Sequence, residues 1–518
     1  METLINFWTT LYPSIKELKS VPAWPPDVFC LAATALQKSG AYSVLVDDRP
    51  PDLTFGIPRG VHRPTFMREI GMLWRNVATT KKRVPHQLEQ WWRVVVEHFS
   101  LSLLQLPRKR RCIAALVQLL AAADEACAGV GISISGPLTR SDWRTAKPDP
   151  FLAEAEARLL RTVKSGSSLC RNIDPSRARV LPKMHTPQTG LTIRSLSHNV
   201  ALCPAEDITP EWFSLATDTQ EHALNLLVFP WPLQVSPRQF TWTRKVHMSD
   251  EVEPGSYGMF TFAAGSGPKK SYVEKILKNA EKHVGRIDGV VFPELALSPD
   301  EHAKIRSWIV KESRLMIAGV GERAKGERKA GQNYVAIDLG FPGSVYFPLT
   351  QKKHHRWKLT KSQIVQYGIG TNLHPEANWW EHISIHDRRL MFISLRPWLT
   401  VCALVCEDLA RPDPVGNLVR AVGPNLVIAL LMDGPQLGSR WPARHATTLA
   451  DDPGLFGAHD YKFGNVKDES TRIWRQPLRC HRIMERCALR RCQGVGNTRS
   501  CRSIGTEYYG RVSGRVDC

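Results

Sequence analysis

The sequence lacks a long apolar run that is free of charge. Its most apolar segment, residues 113–132, contains Gln118, Asp124 and Glu125, which a lipid-spanning helix of about 20 residues would tolerate poorly. The amino terminus also lacks a basic start followed by an apolar core and a small-residue cleavage site. These absences argue against a membrane span and a secretory signal, so we expect a soluble, cytoplasmic protein without a membrane partner.

A disulfide framework is also missing. Seven of the twelve cysteines are scattered through residues 1–455, and the other five lie in residues 456–518. A secreted domain held together by disulfides would be short and dense in cysteine, and an export signal would accompany it. We therefore expect reduced thiols.

Acidic residues are few relative to basic ones. Lysine and arginine number 69 against 49 aspartates and glutamates, which gives a net charge of +20. Such a charge attracts phosphate-rich or acidic partners, but it speaks to association rather than to fold. The basic clusters at 80–85 and 107–112 lack the interleaved aromatics of a nucleic-acid module. Solvated surface is the preferred interpretation, with nucleic acid as an alternative partner.

The length predicts two or three domains. Residues 1–190 are predicted to be mainly helical, with one helix over 85–106 and a second over 111–128, and no chemistry is assigned to them. In residues 191–455, short β-branched strands alternate with helical stretches, which predicts an α/β domain.

Residues 456–518 show little hydrophobic periodicity and carry thirteen Lys and Arg against six Asp and Glu. We expect a basic tail, rich in cysteine and arginine, that is disordered or out of frame. A zinc site and a nucleic-acid-binding arm are the alternatives, although the cysteines form no paired CxxC knuckle.

Three reactive side chains directly follow apolar runs that are predicted to be strands. Glu294 follows GVVF after one intervening proline, Cys406 follows VCALV, and Asp433 follows VIALLM. Ligands of α/β sheets collect beyond the carboxyl ends of the strands. The sequence therefore predicts that these side chains lie at one site.

A thiol becomes a nucleophile when a base removes its proton and a cation holds the oxyanion that forms on the attacked group. Between Glu294 and Cys406 the sequence offers Lys352, Lys353 and Lys358. The residues themselves leave open which lysine belongs to the site.

Two adjacent histidines, His354 and His355, raise the question of a metal site. Adjacent side chains of a strand point to opposite faces, and no cysteine or acidic partner stands at ligand spacing. No metal site is predicted.

The ordered set Glu294, Lys353 and Cys406 resembles the Glu-Lys-Cys triad of the nitrilase, or carbon-nitrogen hydrolase, superfamily. The phrase FPELAL matches the family's glutamate motif. CED after an apolar strand matches its cysteine motif, most closely in the glutaminase domains of NAD synthetases. Lys353, followed two residues later by His355, fits the lysine motif best. The resemblance covers about residues 195–455.

The resemblance implies an α/β fold, with a nitrilase-like α-β-β-α sandwich domain preceded by the mainly helical amino-terminal region. It implies Glu294 as general base on Cys406, Lys353 as the cation at the tetrahedral intermediate, and the backbone N–H of Glu407 in the oxyanion hole. The expected reaction is hydrolysis of a non-peptide carbon-nitrogen bond. The expected substrate is a small-molecule amide or nitrile, without cofactor or metal, and the expected assembly is a homo-oligomer.

The sequence departs from the family pattern shortly after the lysine. Many members carry a second glutamate there, where this chain offers Gln363 and Gln366. An amide positions a neighbour but cannot act as a base, so Gln363 is predicted to be a positioning residue. The alternative function is a catalytically inactive nitrilase-like scaffold in a nucleic-acid-associated or phage-defence protein, because similar domains are joined to reverse transcriptases in some bacterial defence proteins.

Overall fold

The computed structural model describes the chain in ranges separated by gaps. These ranges are 2–18, 20–132, 149–160, 166–184, 186, 190–205, 208–214, 223–247, 256–310, 314–340, 348–432, 441–451, 456–460 and 472–475. Within them the chain is a mixed α/β structure that has several sheets and a set of amino-terminal helices. Asp433 lies outside the described ranges, and so do the five cysteines of the predicted tail, which are Cys480, Cys487, Cys492, Cys501 and Cys518.

Helices of the amino-terminal part pack around a single apolar core. In the described ranges these helices are α1 (Leu4–Leu11), α2 (Pro25–Ser39), α3 (Arg63–Val77), α4 (His86–Val96), α5 (Arg110–Ala126) and α6 (Pro150–Leu159). The rings of Trp8 and Trp92 stack with their centroids 5.8 Å apart, which fixes α1 on α4. No helix in the described part of the chain combines the length and the apolar character needed to cross a membrane.

The helix predicted over residues 85–106 ends at Val96. The backbone beyond it pairs with the amino-terminal segment, where Leu4 N donates to Leu101 O at 2.9 Å. A buried backbone group needs a partner but not a helical one, so this long-range pairing overrides the helical periodicity. The second predicted helix corresponds to α5, which begins one residue earlier and ends two residues earlier than expected.

Strands β1 (Arg179–Pro182) and β2 (Val200–Cys203) pair antiparallel, one on each side of the boundary predicted near residue 190. Close to them, Met184 N donates to Val422 O at 3.0 Å. The amino-terminal helices and the strands that follow contribute to one continuous hydrophobic cluster.

Two large sheets pack against each other in the following part of the chain. In spatial order, sheet A contains β10 (Leu349–Lys352), β9 (Gln332–Asp338), β8 (Leu315–Glu322), β7 (Gly289–Leu297), β4 (Asn225–Val228) and β17 (Arg472–Arg475). In spatial order, sheet B contains β16 (Phe456–Asp460), β15 (Leu426–Leu430), β14 (Leu399–Val405), β13 (Arg389–Arg396) and β3 (Thr209–Ser214). The tail predicted from residue 456 thus supplies β16 and β17; the prediction for its other residues lies outside the described ranges.

A smaller sheet, sheet C, lies beside this pair. In spatial order it contains β11 (Lys358–Leu359), β12 (Asn378–Glu381), β6 (Ser256–Phe262) and β5 (Phe240–His247). The described helices of this part are α7 (Lys270–Val284), α8 (Pro299–Ile309), α9 (Lys361–Gln366), α10 (Asn417–Val422) and α11 (Trp441–Asp451).

Strand β7 is buried on both faces, which explains its unbroken apolar run. Val290 and Phe292 share a cluster with residues of α7 and α8, whereas Val291 belongs to the core between the sheets. Strict alternation would place Glu294 on the helix side with Val290 and Phe292.

A bulge in β7 breaks this alternation. The pairing with β8 is continuous from Gly289 to Phe292 and then shifts register before Leu297, while Leu295 has a left-handed φ of 50°. The strand therefore does not end at Phe292, as the sequence suggested; it runs on, and the bulge turns Glu294 away from the helices.

The bulge depends on Gly319 of β8, because a Cβ at this position would lie 2.3 Å from Pro293 O. We expect Gly319→Ala to lower the free energy of unfolding by about 1–3 kcal/mol through overpacking. Urea denaturation measures this loss. The control is Gly370→Ala, whose added methyl group meets its nearest neighbour, Ile364 Cγ2, at 3.9 Å. Equal destabilisation of both variants would contradict a special role for Gly319.

Candidate active site

Two glutamates, one lysine and one asparagine form a buried ring of hydrogen bonds. Lys353 Nζ donates to Glu294 Oε1 at 2.9 Å and to Glu381 Oε2 at 2.8 Å. Asn333 Nδ2 donates to Glu294 Oε1 at 2.9 Å and to Glu381 Oε1 at 2.8 Å. Glu381, the most exposed of the four residues, is only 3% exposed. We call these residues the carboxylate ring.

Lys353 follows the last residue of β10 and is fully buried. Burial alone lowers the pKa of Lys353, but the carboxylates of Glu294 and Glu381 outweigh it and raise the pKa well above its ordinary value. Lys353 is therefore a cation at neutral pH. An ammonium group has three donors, and the two glutamates take two of them.

Neither of the other two candidate lysines is bonded to Glu294. Lys352 is about a third exposed, and its Nζ lies 3.9 Å from Asp387 Oδ2. Lys358 Nζ lies over the ring of Trp380, 5.1 Å from its centroid. Of the three, Lys353 is the lysine that the fold brings to Glu294.

Cys406 stands at a strained elbow directly after β14. It has a left-handed φ of 48°, a conformation that non-glycine residues keep only where the surroundings impose it. Burial, and then the neighbouring Glu294, raise the pKa of the thiol well above its ordinary value, against the opposing effect of Lys353. The resting thiol is therefore protonated, with Glu294 and Lys353 as its charged neighbours.

Gln351 ties the strand that leads to Lys353 to the strand that leads to Cys406. Its Nε2 donates to Ala403 O at 2.8 Å, and its Oε1 accepts from Met391 N at 2.8 Å. The side chain is fully buried between sheets A and B. The first bond joins β10 to β14 and the second joins β10 to β13, so the strand before Lys353 is held against the strand before Cys406.

Asp408 makes a second tie, two residues after Cys406. Its carboxylate accepts from the backbone N of both His354 and His355 at 3.1 Å, and His355 Nδ1 lies 2.9 Å from Oδ1. Burial alone would raise the pKa of Asp408, but hydrogen bonds from the two histidines outweigh it and lower the pKa to about 2.

The two histidines do not point to opposite faces, as a strand would require. Strand β10 ends at Lys352, and the chain turns so that both rings contact Asp408. Both ring nitrogens of His354 face acceptors, since Nε2 also lies 2.9 Å from Arg389 O. Burial lowers the pKa of His354, but Asp408 outweighs it, so the net shift is upward. Within the described ranges, no group of three or more His, Cys, Asp or Glu residues is arranged to hold a metal ion.

The other two predicted site residues lie outside the carboxylate ring. The side chain of Glu407 is ion-paired with Arg411. Gln363 lies at the start of α9, where its Oε1 accepts from Thr360 N at 3.0 Å and caps the helix. The place of a second acid beside the lysine is taken by Glu381.

The sequence analysis did not identify Glu381 or Asn333. Glu381 lies 28 residues beyond Lys353 on a strand of sheet C. Its signal was an acid directly after the apolar pair Trp379 and Trp380, the same pattern that drew attention to Glu294. Asn333 gave no comparable signal.

Two solved structures of the nitrilase superfamily are similar to part of this chain. A mutant of the Nesterenkonia AN1 amidase from the nitrilase superfamily is 12% identical over 46% of this chain and 75% of that chain, with a TM-score of 0.27. Nit3 of Saccharomyces cerevisiae, a member of branch 10 of the superfamily, is 12% identical over 48% of this chain and 79% of that chain, with a TM-score of 0.28. No family model matches the chain, and no curated protein matches its sequence. At TM-scores below 0.5, function has to be argued from the contacts of this chain's own residues.

Asp408 yields a prediction about stability and pH. Because the folded state lowers the pKa of this carboxyl to about 2, its stabilisation is complete above pH 4 and is lost as the pH falls towards 2. The shift corresponds to about 2–3 kcal/mol. We expect Asp408→Asn to reduce the free energy of unfolding by about this amount at pH 5, where His354 is already protonated, and by less at pH 3, as measured by urea denaturation. A deficit that stays constant between the two pH values would rule out the carboxylate charge as its cause.

Proposed function

We propose that this protein is a thiol hydrolase that acts on a non-peptide carbon-nitrogen bond in a small amide or nitrile. The observation that supports this most directly is the buried ion pair of Glu294 and Lys353 beside the thiol of Cys406. A base, a cation and a nucleophile are the three groups that addition of a thiol to a carbonyl carbon requires.

The proposed assignment keeps the roles that the resemblance implies. Glu294 takes the thiol proton while the sulfur of Cys406 attacks the carbonyl carbon of the amide. The third hydrogen of Lys353 Nζ and the backbone N–H of Glu407 then hold the oxyanion. Glu381 holds Lys353 from its other side and does not touch the substrate.

Glu294 then returns the proton to the substrate nitrogen. The carbon-nitrogen bond breaks, ammonia or an amine leaves, and a thioester to Cys406 remains. Water that has given a proton to Glu294 attacks this thioester, and the thiol leaves with that proton. With a nitrile, addition of the thiol across the triple bond gives a thioimidate. A water then adds to the thioimidate carbon, ammonia leaves, and the same thioester to Cys406 remains.

The charges of the site favour this route over a resting thiolate. With both carboxylates ionised and Lys353 protonated, the buried cluster carries one net negative charge. A proton that moves from Cys406 to Glu294 leaves this charge unchanged, whereas its loss to solvent would add a second buried negative charge. The thiolate therefore forms during attack, within the cluster.

The fold assignment that accompanies this function is a nitrilase-like α-β-β-α sandwich. It is supported by the packing of α7 and α8 on the outer face of sheet A and by Gln351, which joins sheet A to sheet B. A homo-oligomer, a cytoplasmic location and the absence of a cofactor remain predictions.

The alternative function is a catalytically inactive scaffold in a nucleic-acid-associated or phage-defence protein. The net charge of +20 is the property that favours it. A scaffold has no need of a thiol beside a buried pair of carboxylate and ammonium groups, so we place the hydrolase first.

Ammonia release from a panel of amides, nitriles and glutamine tests the proposal. We expect release by the wild-type protein to disappear in Cys406→Ala, because the variant lacks the nucleophile that the proposed reaction uses. A fall of at least 10³-fold is the order expected when a nucleophile is removed.

The matched control is Cys402→Ala, four residues earlier on β14. Cys402 is equally buried, and burial raises the pKa of its thiol, but it has no polar role. Its variant should keep the wild-type rate per folded molecule. A folded wild-type protein that releases no ammonia from any member of the panel would favour the scaffold.

A further inference from the structure

The hydrogen bonds of Glu294 are unevenly distributed between its two oxygens. Oε1 accepts from Lys353 Nζ and from Asn333 Nδ2, both at 2.9 Å. Oε2 accepts from Met432 N at 2.9 Å. A carboxylate has about two acceptor positions on each oxygen. Oε1 is therefore full, and Oε2 keeps one open position.

The orientation of the Asn333 amide is set by charge. Its Nδ2 faces an oxygen of Glu294 and an oxygen of Glu381, which accept but cannot donate when ionised. Its buried Oδ1 has no hydrogen-bond partner among the described residues. The opposite orientation would press Oδ1 against two carboxylate oxygens, so the amide keeps its donors in the ring and leaves its carbonyl unpaired.

We propose that Asn333 is a positioning residue that selects the basic oxygen of Glu294. By filling the second acceptor position on Oε1, it leaves Oε2 as the oxygen that takes the proton of Cys406. This inference rests on one part of the proposed function, the role of Glu294 as the base that takes the proton of Cys406.

A neutral donor suits this position better than a cation would. A second cation beside Glu294 and Glu381 would cancel the remaining negative charge of the ring and would make Glu294 a weaker base. An asparagine fixes the carboxylate through hydrogen bonds alone. Lys353 then remains the cation of the carboxylate ring and is directed at the oxyanion.

The test follows the alkylation of Cys406 by iodoacetamide, read by mass spectrometry as a function of pH. This reaction needs the thiol and its base but not the natural substrate. Asn333→Leu removes the donor at nearly constant volume. We expect alkylation at pH 7 to slow by about 10²-fold, the size of effect that small misplacements of reacting groups produce. In amide hydrolysis, kcat should fall while KM stays unchanged, because Asn333 does not touch the substrate.

Asn333→Asp is the second variant and keeps the shape of the side chain. Ionised, the new carboxyl cannot donate; protonated, it donates through one O–H group. Its two carboxylate neighbours favour the protonated form. We therefore expect the alkylation rate of Asn333→Asp, relative to that of Asn333→Leu, to rise as the pH falls. A purely structural role would not produce this rescue.

The control is Asp338→Asn, on the same strand. Asp338 is fully buried, and its Oδ2 lies 2.6 Å from His302 Nε2, away from the carboxylate ring. Thermal melts verify that each variant is folded. If Asn333→Leu does not fold, the test is the alkylation rate of Asn333→Asp relative to that of the wild-type protein, which should rise as the pH falls. Asp338→Asn should alkylate at the wild-type rate. Wild-type rates in the folded Asn333 variants, or an equal loss in Asp338→Asn, would overturn the positioning role.

Failure of the proposed function gives a different result. In that case no amide is hydrolysed by the wild-type protein, while the alkylation rates still separate Asn333→Leu from Asp338→Asn, and the positioning role survives. If the wild-type protein hydrolyses an amide and Asn333→Leu retains its kcat, the hydrolase stands and the role of Asn333 is refuted.

Discussion

The rest of the structure depends on two buried carboxylates, those of Glu294 and Glu381, which share the ammonium group of Lys353. Burying three charges costs several kcal/mol for each ion unless their hydrogen bonds are nearly complete. Lys353 and Asn333 supply four of these bonds, and backbone N–H groups of Met432 and Trp357 supply two more. The ring therefore exists only where strands of sheets A and C and the end of β15 meet in one fixed arrangement.

Local backbone strain and specific packing hold the strands in that arrangement. The bulge of β7 turns Glu294 off the helix face, and Gly319 leaves room for it. Gln351 and Asp408 tie the segment around Lys353 to the segment around Cys406, one on each side of the pair. Left-handed backbone occurs next to Glu294 and at Cys406 itself, as is common where a fold aims a reactive side chain.

Local signals were enough to find part of the site from sequence. Glu294 and Cys406 stand next to strong apolar runs, and strand ends collect ligands. The partners that lie on distant strands could not be identified from the sequence, because nothing near Lys353 indicates that its ammonium group donates to Glu381. The same limit applies to the helix that stops at Val96, since the segment that pairs with the following residues lies at the other end of the amino-terminal part. Hydrophobic periodicity indicates which residues are buried. Whether their backbone forms a helix or pairs with another segment depends on tertiary contacts.

The core shared by the amino-terminal helices and sheet B has a consequence for how the chain can be divided. Trp212 of β3 donates from Nε1 to Gly131 O at 2.8 Å, and residues of α2 and α5 belong to the same apolar cluster as those of β14. A fragment cut near residue 190 would expose a large apolar face of sheet B, and such faces drive aggregation. The helices thus cover apolar residues of the sheet, and the candidate active site shares its core with the region for which no chemistry was found.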